Sequence, residues 1–183
     1  MDTLDLLFRD IEAQLDAQRQ REYEVDAQEL RQQELSRITM ADRLAAHIGT
    51  SVTIAWRYSE VWRGQLVDLG MGWIRLAVDS GQIIVPLTEI LWWEGETSKA
   101  YVEAGGVARK LTLNSVLRAL ATGRKRVRID HGGNSGHSTE GVIVAVGADY
   151  CQMAIEHINP ASGRRVLSLR DVPQAQIASV RVE

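Results

Sequence analysis

The chain has 183 residues, 45% of them hydrophobic and 25% charged, the make-up of an ordinary soluble globular protein with room for one or two modest cores. No apolar run approaches the ~18–20 residues that span a bilayer, and "MDTLDLLFRDIEAQLD" lacks the basic start and cleavage site of a secretory leader. The single cysteine, Cys151, excludes an internal disulfide and any metal site with two thiolate ligands, so a cytoplasmic protein is expected.

The net charge of −3 conceals a division. Residues 1–96 carry 17 acids and 9 bases, whereas residues 97–183 carry 7 and 12. Such an imbalance bears on partners rather than on fold.

From Thr3 to about Arg37 there is no Gly or Pro, and Gln, Glu, Arg, Ala and Leu dominate, which predicts a long N-terminal helix, an arm over 1–38. Leu4, Leu7, Phe8, Ile11 and Leu15 recur at helical spacing and form an apolar stripe on its first half. Beyond Leu15 the stripe thins, too polar for a continuous coiled coil. The stripe therefore predicts a homodimer in which this helix packs across the partner.

"TMADRLAAHIG" reads as a short helix, with Thr39 and Asp42 spaced as a capping box and Gly49 at its end. The period then changes to two. Val52, Ile54 and Trp56 mark one strand, and "EVWRGQLVDLG", "WIRLAV", "IIVPLTEI" and "LWWEG" mark four more. After the mixed segment "ETSKAYVEAGGVARK" the order repeats. Asn114 is placed to cap the helix "SVLRALAT", and "RVRID", "EGVIVAVG", "YCQMAI", "RVLSL" and "IASVRV" come next as strands.

The two series match residue by residue. Gly64 corresponds to Gly141, Gly70 to Gly147 and Trp73 to Tyr150, each 77 positions on. Leu87 is aligned with Leu169 at 82, which makes the third hairpin five residues longer in the second copy. A short helix feeding five short antiparallel strands, with a mid-strand Gly to allow a sharp bend, predicts a mainly β fold with an N-terminal α element: two tandem Sm-like or SH3-like five-stranded barrels, each preceded by a short helix. The expected boundaries are 39–96 for the first barrel with its leading helix, 97–112 for a linker and 113–183 for the second.

The stretches "DLLFRDIEAQLD", "ADRLAAHIG", "RGQLVDLGMGWIRL", "VPLTEI" and "GADY" resemble an uncharacterised actinobacterial family that combines an N-terminal helix with two Sm-like barrels. Some of its members bear a Fis-type regulator label. The resemblance covers nearly the whole chain and rests on structural glycines and strand patterns, so it implies a fold rather than an activity. No Fis-type helix-turn-helix is visible in the strand-rich second half.

No catalytic constellation, cofactor site or metal site is expected. "HGGNSGH", from His131 to His137, fails the G-x-S-x-G pattern and stands where the repeat demands a hairpin turn. "GMG" opens a strand rather than a helix, unlike a dinucleotide fingerprint. All five tryptophans fall in the first copy. If Ile74, Leu76 and Val78 face inward, Trp73 faces out, as does Tyr150 beside Cys151, and adjacent Trp92 and Trp93 cannot both point inward. Trp73, Trp92, Trp93 and Tyr150 thus join the N-terminal stripe as candidate protein contacts. Arg124, Lys125, Arg126, Arg128, Arg164, Arg165 and Arg170 make a basic set that could meet nucleic acid on one face of the second barrel. The favoured expectation is a non-enzymatic scaffold or adaptor that assembles with itself or another protein. A nucleic-acid-binding regulator is the alternative, and no membrane partner is expected.

Overall fold

The structure, a computed structural model, describes residues 18–20, 23–24, 26–56, 61–96, 100, 110–132, 136–158 and 163–182. Met1–Met40 and Ala41–Glu183 form two compact units. In the first, residues 26–37 are helical (α1) and the preceding described residues are helical too. The apolar stripe from Leu4 to Leu15 lies outside the described residues. The expected long N-terminal helix is not found among the described residues, whose continuous helical run covers only 26–37 before the chain leaves the helix at Ile38 and Thr39.

The second unit takes in all of α2 (Met40–Ala45) but its first residue, with Leu44 fully buried, and continues through β1 (Ser51–Trp56), β2 (Val61–Gly70), β3 (Trp73–Val78), β4 (Gly81–Pro86) and β5 (Ile90–Glu94). A second series comes after it: α3 (Leu113–Thr122), β6 (Arg126–His131), β7 (Ser138–Val146), β8 (Tyr150–Ile158), β9 (Arg165–Pro173) and β10 (Ile177–Val182). Thr112, not Asn114, caps α3, its side chain accepting from the Ser115 amide, while the Asn114 amide group donates to the Ala148 carbonyl at 3.0 Å.

The expected pair of separate barrels is overturned. All ten strands belong to one antiparallel sheet in the order β5-β1-β2-β3-β4-β10-β6-β7-β8-β9. The physical reason is the outer edge of β4. It pairs with β10, Val180 against Ile84, Arg181 against Ile83 and Val182 against Gln82, so the two series share one hydrogen-bonded ladder. The sheet is open, with β5 and β9 at its ends.

Each half repeats the same internal order, and even its irregularities. A bulge between Ala55 and Trp56 against β5 recurs where β6 meets β10, between Ile177 and Ser179. A bulge between Leu66 and Asp68 recurs between Ile143 and Ala145, 77 residues on. Trp73 pairs with Pro86 and Tyr150 with Pro173, so the last strands correspond at 87 and the third hairpin is ten residues longer in the second half, not five.

The repeated glycines mark close approaches. A Cβ on Gly64 would overlap the Ala77 carbonyl, and one on Gly141 the Ala154 carbonyl, because the neighbouring strand crosses there. At Gly70 and Gly147 the obstacle is the ring three residues on, Trp73 in one half and Tyr150 in the other. The Gly-then-aromatic motif is therefore a ring lying on a bare backbone. Each half keeps its own core: Leu44, Ile54, Leu66, Ile74 and Leu76 in the first, Leu117, Ile129, Ile143, Cys151 and Met153 in the second.

Candidate functional site

Strand alternation sends Ile74 and Leu76 into the first core and Trp73 to the opposite face. Trp73 is nonetheless buried, only 4% exposed, because the second half covers that face. Its ring joins the second core with Ile84, and its Nε1 donates to the Leu111 carbonyl at 2.8 Å. The outward-facing expectation for Trp73 is corrected by this cover: the outer face of β3 and β4 is an internal junction. A cavity of about 590 Å³ runs along it, walled by Trp73, Ile84, Val116, Leu120 and Val182, with the Arg75–Asp68 ion pair and Lys125 also lining it.

The matching face of the second half carries no such cover among the described residues. Tyr150, the counterpart of Trp73, is 39% exposed. In the β8–β9 ladder Ile158 stands opposite Arg165, Glu156 opposite Leu167, and Ala154 opposite Leu169, all on the Tyr150 side. Ile158, Leu167 and Leu169 are each more than half exposed, so three aliphatic side chains and a tyrosine line one face of the longest hairpin. Cys151, Met153 and Val172 point the other way, into the core. Burial pushes the Cys151 thiol up to about 11, with Asp171 adding to the shift, so it stays protonated and inert near neutrality.

At the other end of the sheet, Trp93 packs edge-on against the buried His47 ring at 5.0 Å, while Trp92 and Leu91 are exposed. The equivalent of Leu91 in β10 is Ala178, which is fully buried and packs into the core of the first half. The Trp56 indole donates to the Ala178 carbonyl at 3.1 Å there.

The basic residues are spread over the second half. Arg124, Lys125 and Arg126 are exposed where α3 gives way to β6, and Arg164, Arg165 and Arg170 are exposed on or beside β9. Strands β7 and β8 lie between these groups. Arg128 is held by Asp130 at 3.0 Å and Glu140 at 3.3 Å, and Arg165 lies 4.0 Å from Glu156. Asp130 also accepts from Ser179 at 2.7 Å and from Arg181 at 3.1 Å, in a buried knot that ties β6 to β10.

His131 and His137 stand at either end of the β6–β7 hairpin, with the His137 carbonyl accepting from the His131 amide at 2.9 Å. The His131 ring meets the Thr139 hydroxyl at 2.7 Å, and partial burial, with Arg170 and His137 nearby, holds its pKa below the usual value. Among the described residues no group of three His, Cys, Asp or Glu side chains could hold a metal ion, and no helix is long and apolar enough to cross a membrane.

Sequence reasoning missed that β5 and β9 end the sheet among the described residues, and it missed the contrast between the outer faces. One signal could have revealed the true repeat spacing: "VPLTEI" and "VPQAQI" share Val-Pro-x-x-x-Ile at an offset of 87. Compared with known proteins, the chain matches no protein-family model, no curated protein and no solved structure.

Proposed function

We propose that the chain is a non-enzymatic assembly module that binds protein through the outer face of its second half. The observation that carries this reading is the stripe of Tyr150, Ile158, Leu167 and Leu169, left open although the first half buries Trp73, the counterpart of Tyr150. Fully burying one aliphatic side chain is worth roughly 1.5–3 kcal/mol, so a stripe of this kind gains substantially from a protein cover. Arg128 and Arg165 already stand against the carboxylates of Asp130, Glu140 and Glu156, which favours this reading over the nucleic-acid one, since phosphate contact draws on uncompensated cations. The N-terminal stripe of Leu4, Leu7, Phe8, Ile11 and Leu15 supplies a second contact, to a partner copy, on sequence grounds alone.

Sedimentation of the full chain at rising concentration tests the proposal. Association is expected in the micromolar range, weakened at least tenfold by Tyr150→Ser with Leu167→Ser. Deletion of residues 1–20 measures the share of the N-terminal stripe. A full-length chain that is monomeric at tens of micromolar, and equally inert toward other proteins, refutes the reading.

A further inference from the structure

We infer that the chain assembles head to tail with further copies of itself, the edge of β5 in one copy extending the edge of β9 in the next, the two strand edges that pair with no strand among the described residues. This inference deepens the assembly reading above by naming the partner and the register. The internal junction is its template. Inside the chain β10 extends β4, and β10 and β4 are the counterparts of β5 and β9, each at an offset of 87. The pair Arg181–Ile83 then translates into Glu94 of one copy opposite Arg170 of the next. The pair Val180–Ile84 becomes Trp93 opposite Asp171, and Val182–Gln82 becomes Gly95 opposite Leu169.

Three features of the free edges match what the junction requires. Ala178 of β10 is fully buried in the first core, and its counterpart Leu91 is an apolar side chain 59% exposed. Trp73 is covered at the junction and its counterpart Tyr150 is open. The charges are complementary. In the junction Arg181 lies over the Trp62 ring at 5.2 Å. Trp62 corresponds to Thr139, and the Arg170 guanidinium already rests on the Thr139 hydroxyl at 3.0 Å. The incoming strand of the next copy brings Glu94 to that place, a carboxylate onto a guanidinium.

The edges themselves argue for a strand partner. A long open edge with exposed apolar side chains is a template for further pairing, and β9 runs nine residues with Val166, Leu167 and Leu169 exposed. Because the two edges differ, each contact leaves another pair of edges free, and the assembly grows beyond a dimer until it closes on itself.

The test uses full-length chains carrying Glu94→Cys and others carrying Arg170→Cys, purified apart, mixed and mildly oxidised. Cys151 stays out of the reaction because its thiol is buried and held protonated. The expected product joins one chain of each kind, at least tenfold more abundant than any product of either variant alone. A covalent dimer formed by one variant with itself shows a two-fold contact, which overturns the head-to-tail register while leaving the assembly reading intact. Association without any cross-link overturns the register in the same way, and a monomeric chain with no cross-link overturns both. Charge exchange gives an independent readout. Glu94→Arg and Arg170→Glu should each weaken association about fivefold, and the chain carrying both should recover it. Failure to recover removes the pairing of these two residues.

Discussion

Trp73 and Tyr150 sit at the same point of the repeat, each laid across a glycine three residues before it, yet one ring is sealed and the other open. The difference does not come from the strands that carry them. It comes from the segments beyond: Leu111 and α3 close over Trp73, whereas no described residue gives Tyr150 an equivalent cover. The same local sequence logic thus produces an interior in one place and a surface in the other. Neighbours, not motifs, decide which.

Substitution at these two rings should separate them most strongly. Trp73→Ala removes a buried indole from the second core and takes from the Leu111 carbonyl one of its two donors, the other being the Met71 amide, at a cost of about 3–5 kcal/mol. Tyr150→Ala takes away a ring that is more than a third exposed and should cost under about 1 kcal/mol in the free chain. Urea unfolding of both variants checks the contrast. Equal losses would mean that the outer face of β8 is as well covered as that of β3.

The paired glycines come next. Gly64→Ala and Gly141→Ala each push a Cβ into a neighbouring carbonyl, Ala77 or Ala154, and backbone cannot yield as a side-chain tip would. Overpacking of this kind costs roughly 1–3 kcal/mol, and both sites should suffer alike because the strand crossing is the same. Differential scanning of the two variants would reveal any asymmetry. A tolerated alanine at either position would remove the steric account of the repeat.

These glycines also show what the sequence can and cannot disclose. The Gly-aromatic motif, the strand positions and the inward phase of Cys151 are legible because each depends on contacts within one half. The joining of the halves is not, since pairing of β4 with β10 involves edges that carry no local signature of their partner. Alternation puts Trp73 on the correct side of its strand but says nothing about what lies beyond that side. The basic set is legible as a list of residues, but not its ion pairs: that Arg128 meets Asp130 and Glu140 depends on the pairing of β6 with β7. The misplaced third hairpin has a simpler cause: Leu169 resembles Leu87 in type, while the true counterparts are Pro86 and Pro173.

A smaller contrast lies where each helix turns into its strand. The first half places Gly49 there at φ +87°, and the second places Arg124 at φ 49°. A left-handed conformation suits glycine and strains an arginine, whose Cβ crowds the following carbonyl. Arg124→Gly is therefore expected to stabilise the second half by about 1 kcal/mol, read as a raised urea midpoint. A loss of stability instead would show that the Arg124 side chain holds a contact worth more than the strain.

The last contrast is between Trp56 and His131, which occupy equivalent ends of β1 and β6, just past the same bulge. Trp56 is sealed by the Ala178 carbonyl and cannot titrate. His131 can, and its folded pKa lies below the ordinary value, first because partial burial penalises the imidazolium, then because Arg170 and His137 repel it, with Asp130 opposing. A depressed histidine pKa means that the unfolded chain binds the proton more readily than the folded one. The associated stability is complete above the unfolded value of about 6.5 and falls away as the pH drops through the folded one. Urea midpoints at pH 7.5 and 5.5 should therefore differ, the lower pH being the less stable, and His131→Gln should flatten that slope. An unchanged slope in the variant would assign the acid sensitivity to another group and leave the two strand ends alike.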